Sequence, residues 1–134
     1  MLRSLAVSTK GAQMAKLPQV HPADDLPNDS DGDALRRLIS HGSDLSKPMK
    51  IDFAVAVPDE SAGKSIASLV RPLGFQADIY HDTETDSWTC NCTKEMIPAY
   101  REIISVQTQL DELSKPLGGK SDGWGSFGNA ETGD

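Results

Sequence analysis

Between Met49 and Val57 the chain alternates without a break, Met49, Ile51, Phe53, Val55 and Val57 on one side, Lys50, Asp52, Ala54 and Ala56 on the other. A strand turns successive side chains to opposite faces, so this run demands a sheet with one apolar face. The second face, with two alanines as its only apolar residues, is expected to be partly open. A one-faced sheet in turn needs a layer of helices to cover it.

The flanking sequence supplies that layer. Pro58-Asp59-Glu60 opens a helix with Asp59 as its cap, and Ala62, Ile66, Leu69, Val70 and Leu73 recur at helical spacing until Pro72 and Gly74 end it. Phe75, Ala77 and Ile79 alternate with Gln76, Asp78 and Tyr80 as a second strand; Trp88, Cys90 and Cys92 alternate with Thr89, Asn91 and Thr93 as a third, across a polar loop from His81 to Ser87. From Met96 the steps become three and four again, through Ala99, Ile103, Val106, Leu110, Leu113 and Leu117, with Pro98 in the first turn and Pro116 to Gly119 closing the helix. The same steps fit a short heptad seam, but a helix lying on a sheet explains them better. Ahead of all this a short helix is expected from Asp31, with Asp33 as N-cap, Leu35, Leu38 and Ile39 on one face, and Gly42 as its stop. The segment from Gly118 to Gly125 then reads as a final, irregular strand. The order is one helix followed by β-α-β-β-α-β, an α+β fold of the ferredoxin-like split βαβ plait type.

The chain of 134 residues has room for one such domain, expected over 28–127, with a mobile arm at 1–27 and a disordered tail at 128–134. Arg3, Lys10 and Lys16 make the arm basic; it fits an unstructured tail, or an upstream start with Met14 as initiator, more readily than a transit peptide. No stretch approaches the ~20 apolar residues of a membrane span and no apolar secretory core is evident, so the cytoplasm is the expected compartment. With 13 Lys+Arg against 20 Asp+Glu the net charge is -7, which repels a phosphate backbone, and 5% aromatic residues leave few stacking platforms for single strands. Direct nucleic-acid binding is not expected; a basic protein surface is the more natural partner.

No catalytic constellation emerges. Gly119-Lys120-Ser121 resembles the end of a phosphate-binding loop, but Ser114 stands where the first glycine must be, and the segment follows a helix and precedes a strand, the reverse of what a phosphate cradle requires. Asp82, Glu84 and Asp86 alternate across the hairpin without the glycine and distal glutamate of a calcium loop. Cys90 and Cys92, one residue apart and near His81, supply too few ligands for structural zinc and read as reduced, buried packing. His21, His41 and His81 fall in the arm, at a helix end and in a loop, with no nucleophile assigned to any of them. No cofactor and no metal is expected.

What remains is the stretch Gly118 to Gly125, where glycines surround one tryptophan: glycine is placed where the chain turns or backbones approach, and tryptophan is a large anchor. Trp124 reads either as a plug at the edge of the core, its indole N–H on a backbone carbonyl, or as an exposed interface anchor; Asp122 reads as a turn residue or a contact. Tyr80 and Tyr100 are further candidate surface aromatics.

Taken in order, Asn28-Asp29-Ser30-Asp31-Gly32-Asp33, Gly42-Ser43-Asp44-Leu45, Ile51-Asp52-Phe53, Leu73-Gly74-Phe75, Ile97-Pro98-Ala99-Tyr100 and Asp122-Gly123-Trp124-Gly125 resemble the regulator of ribonuclease E activity B family of small bacterial proteins, over about Asn28 to Phe127. The resemblance implies an αβ plait that is no enzyme and that binds ribonuclease E, inhibiting or modulating its cleavage and so RNA decay. On this reading Asp29, Asp31, Asp33, Tyr80, Asp122, Gly123, Trp124 and Gly125 are the candidate partner-binding residues. The alternative is a small-molecule or metal-binding sensor using the open sheet face, which an enclosed pocket would favour.

Overall fold

A computed structural model describes residues 26–130. Most of the expected arm, 1–27, and the last residues of the expected tail lie outside them. The elements are α1 (Ser30–Ser40), β1 (Met49–Val57), α2 (Glu60–Val70), β2 (Gln76–Asp82), β3 (Ser87–Met96), α3 (Tyr100–Ser114) and β4 (Lys120–Gly125), with short 3-10 turns at Arg71–Leu73 and Lys115–Leu117 after α2 and α3. Among the described residues the fold is α+β: one four-stranded antiparallel sheet, in the order β2-β3-β1-β4, and three helices.

β1 follows its alternation residue by residue. Met49, Ile51, Phe53, Val55 and Val57 are buried, and the residues between them are exposed or half-buried. The buried set joins Ala62, Ile66, Ala67 and Val70 of α2, Ile103, Val106 and Leu110 of α3, and Cys90 and Cys92 of β3 in one apolar cluster. Phe53 and Phe75 meet edge to face there, ring centres 6.4 Å apart, a geometry that aligns the positive rim of one ring with the negative face of the other. Both helices thus lie on the same face of the sheet. The opposite face carries Lys50, Asp52, Asp78, Tyr80, Asn91, Thr93 and Glu95, and no described helix covers it.

Asp59 caps α2 as expected, its carboxylate accepting from Ala62 N–H at 2.8 Å. Three boundaries differ from the sequence reading. Asp29, and not Asp33, caps α1: its backbone is extended and its carboxylate accepts from Gly32 N–H at 2.7 Å, while Asp33 lies inside the first turn and pairs with Arg36. Gly32 lies so close to the preceding chain that a Cβ there would collide with Pro27 O. The second concerns α3, which starts at Tyr100, not at Met96: β3 stays paired with β1 to its end, Met96 opposite Met49, and Pro98 lies outside the helix. Full-length pairing with the central strand outweighs the three-and-four spacing, and a proline also biases the residue before it away from helix. Last, the hairpin loop is shorter than His81 to Ser87, because His81 pairs with Trp88 and Asp82 with Ser87. Aromatic stacking holds that end, the His81 and Trp88 rings lying 4.1 Å apart and nearly parallel.

Candidate functional site

β4 is irregular for a definable reason. Phe53 pairs with Trp124 and Val55 with Ser121, so the step of two residues on β1 is matched by three on β4. The extra residue is a bulge at Asp122-Gly123, and Gly123 takes φ +94 with nothing within 4 Å of where its Cβ would be. Only glycine adopts that conformation freely. The bulge has a directional effect: it puts both Ser121 and Trp124 on the helix side of the sheet, where a plain strand would place residues three apart on opposite faces.

Trp124 therefore reaches α1 and not the open face. It packs half-buried on the core, and its Nε1–H donates to Asp31 Oδ1 at 2.7 Å, a carboxylate instead of the backbone carbonyl expected from sequence. Asp31 Oδ1 accepts a second bond, 3.2 Å long, from Gln107 Nε2 of α3. Two residues earlier, at the helix cap, Asp29 Oδ2 accepts from Tyr100 OH. That bond and the Gly32 N–H hold the Asp29 carboxyl below its ordinary value, and the same contact holds the Tyr100 phenol above its own. Charge-assisted bonds of this kind are about twice as strong as neutral ones. Arg36 closes the corner, donating to Leu26 O and Pro27 O while pairing with Asp33.

The structure thus gathers Asp29, Asp31, Asp33 and Trp124 at one end of α1, where all four make intramolecular bonds, and adds Tyr100 and Gln107. Gln107 carried no sequence signal beyond its place on α3. Asp122, Gly123 and Gly125 are exposed at the bulge, and Tyr80 stands on the far face, 56% exposed.

The family model for regulator of ribonuclease activity B matches residues 28–126. The chain belongs to that family. A search of the curated proteins finds no match. The family match takes in α1, the whole sheet and the bulge, so the Asp31–Trp124 contact and the open face both belong to the regulator of ribonuclease activity B domain.

The open face carries a second feature. A groove of about 540 Å³ lies on it, lined by the carboxylates Asp52, Asp78 and Glu95 together with Asn91 and Thr93. Asn91 Nδ2 and Thr93 Oγ1 both donate to Asp52 Oδ1, fixing that carboxylate. Tyr80 and Phe127 also line it, and Phe127 is wholly exposed. Sequence reasoning passed over Phe127 as the edge of a tail, but the chain around it is pinned. Ser126 Oγ donates to Lys50 O at 2.6 Å, and Asn129 Nδ2 reaches Asp44 O, Lys47 O and Pro48 O.

Cys90 and Cys92 are fully buried with their sulfurs 4.0 Å apart. The neighbouring thiol and burial push Cys92 far up, away from the reactive thiolate. Among the described residues no three His, Cys, Asp or Glu side chains converge as a bound cation needs. Nor is any described helix long and apolar enough to cross a membrane.

Proposed function

We propose that this protein is a non-catalytic regulator that binds ribonuclease E and restrains its cleavage of RNA, in a bacterial cytoplasm. The observation that carries the reading is the family match over nearly the whole described domain. The surface chemistry supports it: the net charge of -7 disfavours competition through RNA and favours a basic protein segment. The groove supports it too, because it is open and lined by carboxylates, which suits a macromolecule better than an enclosed small ligand. We assign partner contact to the exposed Tyr80, Asp122, Gly123 and Gly125, and a scaffolding role to Asp29, Asp31, Asp33 and Trp124, which stabilise the α1 end of the domain. The architecture is read as the split βαβ plait on the element order and on the strand order, which from the other edge runs β4-β1-β3-β2. The domain is taken as residues 28–127, flanked by an arm and a tail.

Purified chain added to ribonuclease E and a fluorescent RNA substrate tests the proposal. Cleavage should fall with the occupancy of a protein–protein complex seen by sedimentation, and the chain alone should neither cut nor shift the RNA at physiological salt. Undiminished cleavage at saturating chain, or inhibition through capture of the RNA itself, would reject it.

A further inference from the structure

The carboxylates of the open face are not scattered. Asp78 of β2 is level with Asn91 and Ala54, Asp52 of β1 with Thr93, and Glu95 of β3 with Lys50. One carboxylate therefore appears at each of three successive outward-facing levels, on either side of or along β3. Adjacent levels are separated by two residues of strand, ~6.6 Å. That is also the distance between alternate side chains on one face of any extended peptide. Lys50 is the single opposing charge in the groove, and among the described residues none of the three carboxylates is in an ion pair.

The two ends of this row carry exposed aromatics. Tyr80 is level with Thr89 and Ala56, while Phe127 is pinned beside Lys50 by the Ser126 bond. Those levels lie six residue steps apart on β1, about 20 Å, the length of six or seven extended residues. A fully exposed phenylalanine with tertiary hydrogen bonds from Ser126 before it and Asn129 two residues after it is presented by the fold, and a ring face so presented attracts a guanidinium.

We propose that the groove between Tyr80 and Phe127 binds an extended peptide segment of a partner protein carrying arginines at alternate positions. Each guanidinium meets one carboxylate level, Asp78, Asp52 and then Glu95. Arginine fits better than lysine, because its planar fork pairs with carboxylates and also stacks on the terminal rings. Asn91 and Thr93 add neutral polar groups to the lining. The proposal rests on the protein-binding reading only for the nature of the occupant; the spacing argument is independent of which protein supplies it.

The test is titration calorimetry of the full chain with synthetic peptides of about seven residues, matched to the span above. One has arginines at alternate positions, one has the same composition with the arginines contiguous, and one has glutamine in their place. The alternating peptide should bind at least about fivefold more tightly than the contiguous one, and the glutamine peptide should not bind. Asp78→Asn, Glu95→Gln and Phe127→Ala, all at exposed side chains, should each weaken it about threefold, as exposed charge pairs and an aromatic anchor do. Equal binding of the alternating and contiguous peptides, no binding of either at low salt, or variants that bind like the wild type would overturn the proposal. A dimer in sedimentation that Phe127→Ala dissolves would assign the face to a second copy of the chain and overturn it equally. If ribonuclease E is captured normally by the three variants, this proposal falls while the functional reading stands; if the alternating peptide binds through these residues and ribonuclease E is not captured, the reverse holds.

Discussion

The indole N–H of Trp124 donates to the carboxylate of Asp31 at 2.7 Å, joining residues 93 positions apart and holding the first helix of the domain to its last strand. Trp124→Ala removes a half-buried ring as well as this bond and should cost about 2–3 kcal/mol, below the range for a fully buried tryptophan. The melting temperature should fall by roughly 10 °C or more. Trp124→Phe and Asp31→Ala, alone and together, separate the bond from the packing. A double-mutant cycle should show coupling of about 1 kcal/mol, and strict additivity would mean that the bond contributes nothing.

Gly123→Val tests the bulge. No atom lies near the new side chain, so any loss of stability comes from forcing a β-branched residue to φ +94. A cost of about 1–2 kcal/mol in urea unfolding is expected, with Gly123→Asn costing less because asparagine tolerates positive φ. Equal stability of the valine variant would show that the strand can be rebuilt without the bulge.

The Asp29–Tyr100 contact predicts opposite pH limits for one hydrogen bond. Asp29, held below its ordinary 3.8 chiefly by the Tyr100 hydroxyl and next by Gly32 N–H, releases its proton more readily in the folded state. Its stabilisation is complete above the ordinary value and is lost as pH falls through the lowered one. Tyr100, held above its ordinary 10.0 chiefly by Asp29, contributes fully below that value and loses its contribution as pH rises through the raised one. Tyr100→Phe should therefore lower the melting temperature at pH 7, and the difference from wild type should shrink towards both extremes. A difference that stays constant with pH would refute the assignment.

Both cysteines should resist modification in the folded state. With each sulfur buried and Cys92 pushed away from its thiolate form, a thiol reagent should react only as fast as the domain opens, and denaturant should release both groups together. A rapid stoichiometric reaction under native conditions would contradict the burial.

How far the fold could be read from the sequence depended on whether local pattern or distant pairing decided each element. β1 and α2 were legible because alternation from Met49 to Val57 and the Asp59 cap are complete within a few residues. The start of α3 was not, since Met96 satisfies a helical spacing and a strand pairing at once, and only its position opposite Met49 chooses between them. For α1 the sequence pointed to Asp33, whereas the cap is Asp29, whose carboxylate also meets Tyr100, a residue 71 positions away that no local pattern reveals. For the site, Trp124 was conspicuous, but its partner Asp31 lies in an element whose docking no local rule gives. Phe127 was missed because the Ser126 and Asn129 bonds that present it join segments about 80 residues apart in sequence.

The extra residue in β4 makes that strand's length a matter of parity. Removing one residue between Ser121 and Trp124 would leave those positions two apart, as Phe53 and Val55 are on β1, and an unbulged strand would still turn the indole towards Asp31. Straightening the strand at its present length would instead carry the indole onto the acidic face, away from Asp31, and α1 would lose its hold on the sheet. Three residues here serve only as a kinked trio: the stretch can lose a member or keep its kink, but it cannot lie flat at full length.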